Sequence, residues 1–126
     1  MRAAWLLIAL DRYDDATTSA CEAQERRTPS RLYPQGTVLW EACEARAVAH
    51  LARGQWSEAE NAARRALGDF AEQDANYYLL ELALQAQGLL HRDGVCKVSK
   101  DPARDLAEFD AKRYALNRIR WFKRDS

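Results

Sequence analysis

Leu51-Ala52-Arg53-Gly54-Gln55-Trp56-Ser57-Glu58-Ala59-Glu60, continued by Ala63, Ala66 and Leu67, decides the fold. Glycine takes a positive φ at no steric cost, so Gly54 marks the end of one helix. Ser57 and Glu60 spell the S-x-x-E capping box, which predicts a second helix from about Glu58 with Ser57 as its N-cap. Trp56 falls in the turn, where its ring is expected to wedge between the two helices. Ala59, Ala63 and Ala66 keep helix propensity while adding almost no bulk, so the paired helices can approach closely. The stretch from Trp40 to Gln73 therefore reads as one helical hairpin.

Working outward, Asp11-Arg12-Tyr13-Asp14-Asp15-Ala16 repeats the pattern, with Tyr13 in the place of Trp56, Asp14 as N-cap and Ala16, Ala20 and Ala23 in the alanine positions. Tyr13 and Trp56 are 43 positions apart, and nine of these fall in the Pro-, Ser- and Gly-containing stretch from Thr28 to Gly36, which reads as an inserted loop. The underlying period is then 34 residues. Gly88 lies 34 residues beyond Gly54, as a third unit requires. Beyond it the pattern breaks: Leu90 stands in the aromatic position, and Asp93-Gly94 opens a loop. Expected helices are 2–10, about 15–27, about 38–52, one from about 58, and one from about 74. Residues 2–10 are apolar nearly all round, and the helix from Asp74 carries two apolar stripes, Ala75/Tyr78/Leu82/Ala86 and Tyr77/Leu80/Leu84. Both are expected to be covered on more than one side. Asp101-Pro102 restarts a helix, with Asp as N-cap and Pro at the first helical position, running through Leu106, Phe109, Leu116, Ile119 and Phe122.

The chain of 126 residues is one domain, 48% hydrophobic, with a formal net charge of zero that is unevenly placed. Residues 1–110 carry 13 Lys/Arg and 18 Asp/Glu, whereas 111–126 carry six basic residues and one acid. Cys21, Cys43 and Cys96 form no C-x-x-C pair, which fits a reducing, cytoplasmic setting. The apolar run at the N-terminus is short and meets Asp11 at once, so it reads as neither a signal peptide nor a membrane span.

Taken together, Gly54, Trp56, Ala59 and Ala66, with Ala47 in the first helix and the weaker set Asp11, Tyr13, Ala16 and Ala23, resemble the tetratricopeptide repeat. The resemblance covers about residues 1–90 and implies an all-α fold of antiparallel helical hairpins stacked as a short right-handed superhelix. Repeats would span about 1–27, 37–70 and 74–92, with a C-terminal helix, 102–123, capping the last repeat. It also implies a groove lined by the first helix of each pair, here Glu44, Val48 and Leu51 from one repeat and Tyr78, Leu82 and Gln85 from the next. That set lacks the Lys and Asn residues with which some family members clamp a carboxylate. An apolar or helical partner segment is therefore expected, anchored at Tyr78. In this register the first helix begins at its fifth position, so the apolar N-terminal helix lacks an outer cap and is expected to meet a second copy or a partner.

No catalytic, metal or cofactor constellation accompanies this pattern. His50 and His91 have no ligand spacing, and Cys43 and His50 are two helical turns apart, roughly 10 Å by helical rise, too far for a thiolate–imidazole pair. The rival to a protein-binding role is the tail. Arg113, Arg118, Arg120, Trp121, Lys123 and Arg124 interleave basic and aromatic side chains, which suits phosphate neutralisation and base stacking. The other reading of the tail is a capping helix with Leu116, Ile119 and Phe122 buried and its arginines solvated.

Overall fold

The computed structural model describes residues 2–25, 40–67, 74–90 and 98–124, with only the backbone described at 25, 40 and 121–124. The loop expected at 28–36, the expected start at 38–39, the break at Gly68-Asp69, His91, Asp93-Gly94 and Cys96 lie outside these residues. The described residues form seven helices and no strands: α1 (Arg2–Ala9), α2 (Tyr13–Glu25), α3 (Trp40–Ala52), α4 (Trp56–Leu67), α5 (Asp74–Gln87), α6 (Pro102–Ala107) and α7 (Ala111–Arg124). Each of α1 to α5 packs on the next, α3 also touches α5, and the fold is all-α.

Three helix ends are built alike, and their spacing is the one the sequence repeats. Positive φ occurs at Asp11 (62°), Gly54 (70°) and Gly88 (70°). Around each, the backbone closes the same pair of hydrogen bonds. Arg12, Gln55 and Leu89 donate to the carbonyls of Leu7, His50 and Leu84, while Asp11, Gly54 and Gly88 donate to those of Ile8, Leu51 and Gln85. This is the Schellman arrangement, which satisfies carbonyls that a helix end would otherwise leave unpaired. At the first site an aspartate takes the left-handed conformation that glycine takes at the other two. Its side chain accepts from the Tyr13 hydroxyl at 2.7 Å and pairs with Lys112 at 2.7 Å.

The helix starts differ from the expected ones. The carbonyl of Gln55 accepts from the amide of Ala59, so Gln55 is the capping residue, α4 begins at Trp56, and Ser57 already lies inside its first turn. No Ser57–Glu60 capping box forms; Glu60 pairs with Arg64 at 2.9 Å and accepts from Gln87 Nε2 at 2.8 Å. Arg12 caps α2 in the same way, and Asp14 pairs with Arg53 across the two hairpins instead of capping. The physical reason is shared: the Schellman turn delivers the chain directly into the next helix, leaving no room for an extra extended residue. Asp101 does cap α6, accepting from the amide of Arg104 at 3.2 Å with Pro102 at the first position.

The core follows the small-residue pattern. Ala59, Ala62, Ala63 and Ala66 of α4 are buried, as are Ala16 and Ala20 of α2 and Ala42, Ala45, Ala47 and Ala49 of α3. In α5 every residue from Leu79 to Leu84 is buried, which is the covering on several sides that its two stripes required. Glu81 in that run accepts from the amides of Val98 (3.0 Å) and Ser99 (3.2 Å), so α5 holds the strip of chain that leads into α6.

The C-terminal region departs most from expectation. In place of one helix from 102 to 123, two form, with a break at 108–110. α6 packs on α5, but α7 turns back across the molecule onto α1 and α3 and does not contact α5. Leu116, expected to be buried, is 47% exposed, and Arg118, expected to be solvated, is drawn down onto carboxylates. Among the described side chains of α7, Ala111 and Ala115 are the buried ones and Tyr114 and Ile119 are partly buried; the Phe122 side chain lies outside the described residues.

Candidate functional site

α1 and α3 present one face to α7, and that face is built from Trp5, Glu41 and Glu44. Trp5 is fully buried near the start of α1, and its Nε1 donates to Glu41 Oε1 at 3.0 Å, joining α1 to α3. Glu41 and Glu44 are three residues apart on α3, so both carboxylates fall on one side of the helix. α7 answers with Tyr114 and Arg118, four residues apart and therefore also on one side. The Tyr114 hydroxyl donates to Glu44 Oε2 at 2.5 Å. Arg118 Nη2 lies 3.5 Å from Glu44 Oε1 and 3.8 Å from Glu41 Oε1. The Trp5 ring serves both, with its centroid 5.9 Å from that of Tyr114 and 5.6 Å from the guanidinium carbon of Arg118. Such cation–ring contact favours arginine, whose flat guanidinium stacks where an ammonium would not.

The contacts fix the direction of α7. Lys112 at its start meets Asp11 just beyond the end of α1, and Arg118 reaches Trp5 and Glu41 near the starts of α1 and α3. α7 therefore runs antiparallel to both helices, lying between them. At its N-terminal end the packing is incomplete. A cavity of about 420 Å³ opens there, lined by Tyr13, Trp56, Leu51, Leu106 and Phe109, with Asp110 and Lys112 as its polar groups.

Electrostatics at the face are set by burial. Glu44 is fully buried, and desolvation pushes its carboxyl up from its ordinary value; the Tyr114 hydroxyl and Arg118 pull it back, and Glu41 adds to the rise. Desolvation likewise raises the Tyr114 hydroxyl strongly, and the Glu44 charge raises it further. Tyr13 is pushed up to about 12, first by desolvation and then by its bond to Asp11. Both hydroxyls therefore keep their protons in the folded chain at pH values where unfolded tyrosine, near 10, has begun to lose them. The native state then binds more protons than the unfolded one, so stability falls as pH rises beyond about 10. Tyr114→Phe should flatten that alkaline slope by up to one proton, about 1.4 kcal/mol per pH unit, measured by urea unfolding between pH 9 and 11.

Of the residues expected to face a partner, Glu44, Val48, Leu51 and Leu82 are buried within the chain, whereas Tyr78 and Gln85 are half-buried. The chain's own C-terminal region lies over much of this set. Glu44 meets α7, Leu51 shares the cavity with Ala111 and Lys112, and the Tyr78 hydroxyl is raised first by burial and then by the charges of Asp105 in α6 and Glu108 just beyond it. In the tail, Arg113 and Arg120 are exposed and Arg118 is engaged; the side chains of Trp121, Lys123 and Arg124 lie outside the described residues, though their backbone is helical. Sequence reasoning missed Trp5, Glu41 and Tyr114 as partners of one another. The available signal was the match of an acidic pair at i,i+3 with an aromatic–arginine pair at i,i+4, in segments some 70 residues apart.

Of the two cysteines among the described residues, Cys43 is buried, which raises its thiol, and Cys21 is half-buried. His50 Nδ1 lies 2.7 Å from Gln55 Oε1, bridging the hairpin turn. Among the described residues no helix is long and apolar enough to cross a membrane. No protein-family model, curated protein or solved structure matches this chain.

Proposed function

We propose that this protein is a non-catalytic interaction module of tetratricopeptide-like build, stacked as a short superhelix whose first-helix face holds a helical segment of a partner protein. The observation that carries the reading is α7 itself, a helix seated antiparallel between α1 and α3 through Tyr114, Arg118 and Ala115. It displays the chemistry that the face accepts. An amphipathic helix laid into a groove between helices is a recurrent mode of peptide recognition. Within the apolar or helical partner segment expected from sequence, Glu41 and Glu44 call for aromatic hydroxyls and guanidinium groups. Self-association through the N-terminal helix belongs to the same reading, since Leu6 of α1 and Leu10 just beyond its end remain 45% and 65% exposed.

Binding of nucleic acid by the tail is the weaker reading, because Arg118 is engaged by carboxylates within the fold. Immobilised full-length protein should retain basic amphipathic helical peptides and lose them on Glu44→Lys. Retention of oligonucleotides instead, with steep salt dependence, loss on combining Arg113→Glu with Arg120→Glu and indifference to Glu44→Lys, would overturn the proposal.

A further inference from the structure

We infer that α7 is a resident competitor on the α1/α3 face, displaced by a helix of another protein that supplies arginine hydrogen bonds to both oxygens of Glu44. The inference rests on the reading of that face as a helix-binding site and adds what regulates it. Three observations carry it.

The first is an incomplete fit. Glu44 has no exposed surface, and its Oε2 is satisfied by Tyr114, but its Oε1 has no hydrogen-bond partner. The nearest cation, Arg118 Nη2, stands off at 3.5 Å. A buried carboxylate oxygen without a donor is costly, and a guanidinium placed squarely against it would form two parallel bonds. α7 thus leaves unsatisfied a group that a better-matched helix would satisfy.

The second is the room left beneath the first turn of α7. Of the described side chains of α7, Ala111 and Ala115 are buried and Tyr114 and Ile119 partly so, while Leu116 faces outward and a cavity of about 420 Å³ lies beside Ala111. A helix with larger apolar residues at its first turn would gain contacts that α7 does not make.

The third is the tether. α7 joins α6 through only 108–110, and α6 is packed on α5, so α7 is presented to its site at an effective concentration on the order of millimolar. The same helix from a second copy, at micromolar concentration, cannot compete with it. Only a helix of higher intrinsic affinity can, which assigns the displacing ligand to a different protein. Asp11, Glu41 and Glu44 together make the face acidic, so that helix is basic.

The test uses a fluorescent peptide of residues 109–124 titrated into full-length protein and followed by anisotropy. The wild-type chain should bind it at least tenfold more weakly than Arg118→Glu, with Tyr114→Phe, a milder change that preserves packing, in between. Adding Glu44→Ala to Arg118→Glu should remove binding. The peptide carrying Arg118→Lys should bind the Arg118→Glu chain more weakly than the parent peptide, because an ammonium cannot make paired bonds to a carboxylate; equal or tighter binding would overturn the arginine assignment. Equal affinity for wild type and Arg118→Glu, lost on Glu44→Ala, would overturn competition by α7 while leaving the face a helix-binding site. No binding to any chain, with trypsin showing α7 released in Arg118→Glu, would overturn both. An α7 as protected in Arg118→Glu as in wild type would overturn the inference, as would a wild-type dimer that the peptide dissociates, since a second copy would then be the occupant.

Discussion

Trp5→Ala is expected to destabilise the chain by about 3–5 kcal/mol, the range for emptying a large aromatic site in a core. The ring has no exposed surface, so its removal forfeits apolar burial and leaves a cavity that α1, α3 and α7 line together. Two further losses follow from its position. Glu41 loses the indole N–H at 3.0 Å, and Arg118 loses the ring beneath its guanidinium. Trp5→Phe separates these terms, because it retains most of the volume but not the donor. A hydrogen bond to a charged group contributes about 1.5–3 kcal/mol, so the phenylalanine variant should fall in that range. Urea unfolding at unchanged m-value measures both. A cost below about 1 kcal/mol for the alanine variant, the centre of ordinary point substitutions, would show that α1 does not seal the seat of α7.

How far the sequence foretold this arrangement depends on the range of the interaction concerned. Hairpin turns are local, and Gly54 announced one by its conformational preference and Gly88 another by lying 34 residues further on. The third, at Asp11, was legible only by aligning Tyr13 with Trp56, since aspartate takes positive φ far less readily than glycine. Alanine positions were legible too, because close helix contact demands small side chains wherever the partner helix lies. Ser57 and Glu60 misled for a local reason: the motif matched, but the preceding Schellman turn had already committed Gln55 to the capping position. The seat of α7 was illegible because amphipathic periodicity shows that a helix has a buried side without showing what buries it. Leu116 and Ile119 suggested an apolar underside; Ile119 does pack partly buried against the core, but Leu116 faces out, and the inward side also carries Ala111, Tyr114, Ala115 and Arg118. Their partners lie on helices from the first half of the chain, and only the return of α7 across the molecule brings them together. Of the candidate site, the sequence singled out Glu44 and Arg118 without relating them to Trp5, Glu41 and Tyr114.

Tyr114→Ala should cost about 3–5 kcal/mol, although α7 lies at the periphery where substitutions are usually mild. Its ring packs between Trp5 and Phe109, with centroids at 5.9 and 6.3 Å, so an aromatic site is emptied. Its hydroxyl is also the hydrogen-bond donor to a fully buried carboxylate. Removing one member of such a pair leaves the other charged and desolvated, which is why a deletion here costs more than the pair contributes. The carboxylate can escape that cost in two ways, by taking up a proton or by α7 lifting away to admit water. Either escape has a signature. Protonation would make the variant's deficit shrink as pH is lowered, because burial already pushes the Glu44 carboxyl up and loss of the hydroxyl donor pushes it further. Lifting of α7 would instead appear as faster tryptic cleavage after Lys112 and Arg113, at a deficit that does not depend on pH. Trp5→Ala and Tyr114→Ala remove opposite sides of one contact, so the double variant should cost less than the two single ones together, by roughly 0.5–3 kcal/mol. Strict additivity would mean that the two rings act on the fold independently, and that Glu44 alone determines where α7 sits.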